Sequence, residues 1–180
     1  ANADSTWLSV SSDGRFVAFS SDAANLVAGD DNGLPDIFVR DRVAGTTERI
    51  PETQTEGDGL GRVRPDISDD GRWVVFLESA NNFNSGRSRG NVVLWDRQED
   101  DFLRITEQPF AGSETPRISG SGQIIVFSAS NLSLPDGESG ARLVAFDRVT
   151  GTYETVTRDL DGLARRGSNP HLSADGRYVV

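Results

Sequence analysis

One short hairpin signal recurs four times along the chain. The copies read VSSDGRFVAFSS, ISDDGRWVVFLE, ISGSGQIIVFSA and LSADGRYVV, and their turn glycines are Gly14, Gly71, Gly122 and Gly176. The intervals between these glycines are 57, 51 and 54 residues. A regular period of this size is typical of stacked supersecondary units, because a single unit cannot bury its own apolar faces. The chain is therefore predicted to be built of repeated units.

Each unit reads as four short antiparallel strands. A first strand runs into an Asp-Gly or Ser-Gly turn, where glycine accepts the positive φ of a tight hairpin. The near-continuous apolar run that follows, such as RFVAFS, indicates a strand covered on both faces. Two more strands complete the unit, and Asp-Arg pairs beginning at Asp41, Asp96 and Asp147 keep step with the glycines. With no helical periodicity, the pattern predicts an all-β fold, a β-propeller of four-stranded antiparallel blades.

Three full blades and the first half of a fourth fit the chain. We expect them at about residues 6–51, 64–107, 115–158 and 169–180 of a partial propeller that spans residues 1–180. A closed propeller has about four to eight blades, so three and a half would leave apolar faces open at both ends. The chain is then either a segment of a longer propeller or one of several chains that complete a ring. Because Val180 stops inside a predicted strand, we favour the segment.

These motifs resemble the PD40, or WD40-like, repeats of TolB-type β-propellers. The resemblance rests on Ser-x-Asp-Gly-Arg, the apolar strand after it and the Asp-Ile-Phe-Val-x-Asp strand, and it covers essentially the whole chain. The third repeat departs from the pattern, with Ser121-Gly122-Gln123 in place of Asp-Gly-Arg. The resemblance implies a non-enzymatic module that binds a protein or peptide in the cell envelope or outside the cell. A carbohydrate-binding or extracellular structural module and the propeller of a larger hydrolase are the alternatives.

The amino-acid composition limits the classes of partner and the location that we expect for this chain. The formal net charge is -10 and all 18 basic residues are arginine, which argues against a broad surface for nucleic acid. No apolar run approaches the ~20 residues of a membrane span, so we expect no membrane insertion. There is no cysteine, hence no disulfide framework and no thiolate metal site. The small, polar start ANADS is typical of a mature secreted chain, so a periplasmic or secreted location is expected.

A loop in the first unit is rich in oxygen ligands. In the stretch AGDDNGLPD the candidates are Asp30, Asp31, Asn32 and Asp36. Calcium takes about six to eight oxygen atoms, which such a loop could supply in part. The same side chains can instead cap their own turn. Calcium is the one cofactor that the sequence suggests.

A variable polar position on the first strand of each unit is the second candidate site. It lies five residues before each turn glycine and is occupied by Ser9, Asp66, Arg117 and His171. Inner strands line the channel of a propeller, so these side chains could contact a ligand there. His171 is the sole histidine and lacks partners for acid–base chemistry, and no catalytic motif is found, so we expect no enzyme.

The three tryptophans could stack on sugars. Trp73 and Trp95 are interpreted as core residues matched by Phe16 and Phe38 of the first unit. Trp7 corresponds to Arg64, Thr115 and Asn169 in the other units and is kept as a candidate binding residue.

Overall fold

Three antiparallel sheets of four strands make up most of the described chain. The computed structural model describes residues 1–51, 60–80, 90–106, 115–129, 142–163, 165, 167 and 169–180. Blade one contains β1 (Ser5–Val10), β2 (Phe16–Ser21), β3 (Asp36–Asp41) and β4 (Thr46–Arg49). Blade two contains β5 (Leu60–Ile67), β6 (Trp73–Ala80), β7 (Gly90–Asp96) and β8 (Asp101–Arg104). Blade three contains β9 (Arg117–Ile118), β10 (Ile124–Ala129), β11 (Arg142–Asp147) and β12 (Thr152–Thr155).

Strands within each blade follow one another in sequence order, and every neighbouring pair is antiparallel. The described residues contain no helix, so none of them forms a helix that could cross a membrane. The all-β propeller prediction is confirmed. Strand β5 begins at Leu60 and so extends ahead of the blade boundary expected at residue 64.

Residues 169–180 form a narrow hairpin, which we call the half-blade. Leu172 and Val179 make an isolated antiparallel bridge. The His171 N–H donates to the Val180 carbonyl at 2.8 Å, and the Val180 N–H donates back at 3.0 Å. Gly176 has a φ of 74°, in agreement with the hairpin turn predicted there.

Blade two is buried on both faces. Val74 and Phe76 of β6 belong to an apolar cluster shared with blade one, whereas Val75 and Leu77 belong to a cluster shared with blade three. Alternate side chains of a strand point to opposite faces, so the continuous apolar run RWVVFL supplies both clusters at once. This is the arrangement that the sequence pattern indicated.

The residue after each turn glycine and the aspartate of each Asp-Arg pair interact with each other. Arg72, next to the turn glycine, donates to Asp96 at 2.8 and 2.6 Å. Arg15 and Asp41 make the same pair in blade one, and in blade three Gln123 donates to Asp147 at 3.0 Å. The residue after the turn glycine therefore joins the start of the second strand to the end of the third.

One strand match in the sequence analysis was wrong. Trp95 is buried, as expected, but it pairs with Phe102 and occupies the position held by Arg40, which pairs with Thr47. The counterpart of Phe38 is Val93. The match failed because a shift of two residues keeps a side chain on the same face of a strand, so the alternation of apolar residues does not reveal it.

Candidate functional site

The first strands of the sheets meet along the inner side of the arc of blades. Strands β1 and β5 contact each other, as do β5 and β9, so the residues predicted to line a channel do lie along one edge. This edge carries the predicted positions Ser9, Asp66, Arg117 and His171.

Each unit has a residue in the left-handed region at the same repeat position, within the first strand of blades one and two and just before the corresponding segment of the other two units. The φ angles are 50° at Trp7, 59° at Arg64, 39° at Thr115 and 50° at Asn169. In β1 and β5 this residue coincides with a shift in the pairing register with the second strand. Non-glycine residues seldom adopt this conformation, and its recurrence at one repeat position marks it as part of the design of the blade. The four positions hold four different residue types, so this backbone conformation could not be predicted from a sequence motif.

Ser9 and Asp66 are linked across blades one and two. The Ser9 hydroxyl donates to Asp66 Oδ1 at 2.5 Å, and the Ile118 N–H of blade three donates to Asp66 Oδ2 at 2.9 Å. Burial raises the pKa of Asp66, opposed by the bond from Ser9 and the bond from Ile118. The side chain of Asp66 thus connects three blades along the inner edge.

Arg117 and His171 lie further along the same edge. Arg117 Nε donates to the carbonyl of Pro170 at 3.3 Å, which ties blade three to the half-blade. His171 is exposed and pairs with Val180 through its backbone. The structure therefore joins Ser9 and Asp66 directly. Arg117 bonds to the half-blade, and its positive charge also acts on Asp66, where it opposes the rise in pKa.

A cleft of about 210 Å³ opens at this edge. Its lining residues are Trp7, Leu8, Arg64, Pro65, Thr115, Pro116 and Arg117. The Arg64 guanidinium lies over the Trp7 ring, 4.5 Å from its centroid, while Trp7 stays 49% exposed. Within the described residues, no carboxylate forms an ion pair with Arg64 or Arg117. We call this the inner-edge cleft, and its leucine, prolines and Arg64 were not among the predicted site residues.

The acidic loop of blade one is organised around an arginine. Arg49 Nη1 lies 3.2 Å from Asp30 Oδ1 and 3.3 Å from Asp36 Oδ2. Asn32 donates to Asp36 at 3.1 Å and accepts from the backbone of Leu34, while Asp31 is exposed. Burial raises the pKa of Asp36, and the bond from Asn32 lowers it. In the described part of the chain no three acidic or histidine side chains converge as metal ligands do. Calcium binding by this loop stays a prediction.

Known proteins share the fold of this chain. No family model matches it. The uncharacterized protein Atu1656 of Agrobacterium fabrum is 30% identical over 145 residues, which is 78% of this chain and 44% of that protein. The crystal structure of TolB from Acinetobacter baumannii matches 98% of this chain with a TM-score of 0.65 and 18% identity, over 37% of its own length.

A protease propeller is similar as well. The β-propeller domain of the Trilobed protease from Pyrococcus furiosus, described as having an open velcro topology, matches 84% of this chain with a TM-score of 0.56 and 13% identity, over 41% of its length. At such identities these two structures establish the fold alone. The chain spans less than half the length of each of the three proteins.

Proposed function

We propose that this chain, a β-propeller of the TolB type in its fold, is a non-enzymatic module that binds a protein or peptide segment in the inner-edge cleft. The observation that carries the proposal is the cleft itself, where an exposed tryptophan, two prolines and two arginines meet on the inner strands.

The size of the cleft favours one anchoring side chain over a whole metabolite. Pockets for drug-sized ligands measure about 300–1,000 Å³, and this cleft holds about 210 Å³. Tryptophan and arginine are the residues most often found at the energetic centres of protein interfaces. A peptide could place one apolar side chain against Pro65 and Pro116 and continue along the inner edge.

The charge of the inner-edge cleft favours a protein or peptide ligand that carries an anionic group. The chain as a whole carries -10, yet the cleft presents Arg64 and Arg117. Among the described residues Asp66 lies close to Arg117 and interacts with its charge, and the Asp66 carboxylate is bonded to Ser9 and Ile118. Complementary charge guides association and sets orientation more than it adds affinity. The overall negative charge also makes nucleic acid an unfavourable partner.

The proposed location is the periplasm or the exterior of the cell. The likeness in fold to TolB supports this location.

Peptide arrays provide the test. We expect the purified chain to select a set of short peptides, and the variants Trp7→Ala and Arg64→Ala to bind that set at least about tenfold more weakly, a loss of about 1.4 kcal/mol. Arg40→Ala is the matched control, since Arg40 is exposed on β3 and donates to Thr47. Equal binding by all variants, or no peptide bound above background, would overturn the proposal. Binding of sugars on a glycan array in place of peptides would favour the carbohydrate alternative.

The protease propeller supports a second candidate. The chain could be the propeller of a larger hydrolase whose catalytic residues lie in another domain, because its own single histidine is exposed on the half-blade. Labelling of the full-length protein by an active-site hydrolase probe would favour this candidate. Absence of labelling, together with peptide binding in the cleft, would favour the first.

A further inference from the structure

One backbone position of each unit keeps a side chain where glycine would suit the conformation better. This left-handed position lies seven residues before each turn glycine and holds Trp7, Arg64, Thr115 and Asn169. The left-handed conformation brings Cβ too close to the backbone, and the cost is largest for a β-branched residue such as Thr115. Glycine would remove this cost, yet none of the four positions has it.

Hairpin turns of the same chain show which residue occurs when only the backbone conformation matters. Seven turns are described between first and second or third and fourth strands, and in six of them the left-handed residue is glycine. These glycines are Gly14, Gly45, Gly71, Gly122, Gly151 and Gly176. The seventh residue, Asp100, has a partner for its side chain, since its carboxylate accepts a hydrogen bond from Trp95 Nε1 at 3.1 Å. A side chain at such a position therefore indicates that the side chain itself is used.

The four side chains contact one another in pairs that join neighbouring units. Arg64 lies over the ring of Trp7, 4.5 Å from its centroid, and the Thr115 hydroxyl donates to Asn169 Oδ1 at 3.3 Å. Trp7 and Arg64 of the first pair and Thr115 of the second line the inner-edge cleft. Both pairs thus border the cleft, one pair from blades one and two and the other from blade three and the half-blade.

These contacts offset little of the conformational cost. The bond between Thr115 and Asn169 is exposed, so water can replace it, and a cation–π contact at an accessible site is weak. Residues held in costly backbone conformations cluster at binding sites, where the surrounding structure fixes them for recognition. The use of these side chains therefore lies in what enters the cleft.

We propose that the left-handed position determines the specificity of the inner-edge cleft, with Arg64 binding an Asp or Glu carboxylate of a peptide and Thr115 bonding to the peptide backbone. The inference rests on the proposed function and adds which side chains select the ligand. The charge of Arg117 acts on the nearby Asp66, whereas no carboxylate of the described residues forms an ion pair with Arg64. The Thr115 hydroxyl, which donates to Asn169, keeps its lone pairs for an N–H of the peptide.

Stability and binding should change in opposite directions at Thr115. We expect Thr115→Gly to raise the Tm by about 2–4 °C, because glycine relieves the left-handed conformation. The same variant should bind the tightest peptide of the array about fivefold more weakly, the effect of one lost hydrogen bond. Thr115→Val should weaken binding equally and leave the Tm within about 2 °C of the wild type, since it keeps the shape and the conformation and removes only the hydroxyl. A Tm lowered by Thr115→Gly would assign the side chain to packing between blades and overturn the inference.

The choice of peptide should change at Arg64. We expect the wild-type chain to enrich peptides that contain Asp or Glu, Arg64→Lys to keep that preference, and Arg64→Glu to replace it with a preference for Lys or Arg. Asp100→Gly is the matched control, because it also changes a left-handed residue but lies in the β7–β8 turn, and its peptides should be those of the wild type.

Two outcomes on the array would contradict the inference in different ways. Peptide binding by the wild type with the same selection by Arg64→Glu would overturn the role of the left-handed position and leave the proposed function intact. A wild-type chain that binds no peptide would overturn the proposed function and this inference together.

Discussion

In blades one and two, the arginine after the turn glycine binds an aspartate at the end of the third strand. The bond from Arg72 holds the pKa of Asp96 below its usual range, and the bond from Arg15 does the same for Asp41. A carboxylate whose pKa is lowered on folding stabilises the folded state above the unfolded pKa of about 3.9, and that contribution disappears as the pH falls through the folded value.

Low pH should therefore remove the stability that the Arg72–Asp96 pair contributes. We expect Asp96→Asn to lower the Tm at pH 7. The difference from the wild type should shrink as the pH is reduced below about 4, because Asp96 then binds a proton in the unfolded chain while the folded chain, with its lowered pKa, still holds it ionised. Asp147→Asn is the matched control, because its partner is the uncharged Gln123, and its effect should be smaller. Thermal unfolding followed by circular dichroism measures both. A Tm difference for Asp96→Asn that is constant from pH 7 to pH 3 would contradict the ion-pair account.

Arg49 should be needed by the buried acids of blade one. Removing one partner of a buried ion pair costs about 3–5 kcal/mol, since the remaining charge stays buried. We expect Arg49→Gln to lower the free energy of unfolding by about 3 kcal/mol at pH 7. Because burial already raises the pKa of Asp36, the folded variant should take up a proton more readily than the unfolded chain, so the defect should shrink from pH 7 towards pH 5.

Denaturant titrations at several pH values measure this effect, with Arg40→Gln as the exposed control. A loss that does not change with pH would show that the two carboxylates are not the reason. The same titrations with added calcium test the metal prediction. A calcium-dependent gain in the wild type that Asp31→Asn and Asp36→Asn both remove would support a site in this loop.

At the scale of strands and turns, the turn glycines do not all have the same role. Gly71 and Gly151 both have positive φ, at 73° and 70°. Only Gly71 also lies against a ring, that of Phe16, whereas a Cβ on Gly151 would meet nothing within 4 Å. Gly71 is therefore required both by its turn and by the packing of blade one against blade two, whereas Gly151 is required by its turn alone.

Alanine substitutions at Gly71 and Gly151 separate the cost of the turn conformation from the cost of disturbed packing between blades. We expect Gly151→Ala to cost about 1–2 kcal/mol, the price of the left-handed conformation. Gly71→Ala should cost about 3 kcal/mol or more, because displacement of Phe16 is added to that strain. Equilibrium unfolding in urea gives both values. Equal losses would mean that the contact with Phe16 does not limit the packing of blades one and two.

At the scale of the whole molecule, blade two lies between two other four-stranded sheets of the described chain. Its strands β6 and β7 contribute to both apolar clusters, whereas the half-blade is a single bridge with exposed Tyr178 and Val180. In a stack of repeats, stability is the sum of the units and their nearest-neighbour contacts. Blade two should therefore be the most stable part.

Hydrogen exchange should show this gradient. We expect the amides of β6 and β7 to exchange most slowly and those of β1 and residues 169–180 to exchange fastest, because local opening requires less loss of contact at the open ends. Uniform exchange across all blades would indicate that the chain unfolds as a single cooperative unit.

The amino-acid sequence alone determined the repeat, the hairpins and the burial of blade two on both faces. These follow from local rules: glycine at positive φ in a tight turn, and apolar side chains on alternate or both faces of a strand. The position of Ser9, Asp66, Arg117 and His171 on the inner edge followed as well, because a repeat fixes which strand each copy occupies.

Only the tertiary structure decided what those residues touch. The bond from Ser9 to Asp66, the bond from Ile118 to Asp66 and the stacking of Arg64 on Trp7 all join different blades, at separations of 52 to 57 residues. The left-handed position at Trp7 and its three counterparts holds unlike residues, and the strand match that misplaced Trp95 kept the right face. Periodicity in the sequence specifies which face of a strand a side chain occupies. Its partner in the neighbouring blade depends on how whole blades pack against each other, which no local sequence pattern encodes.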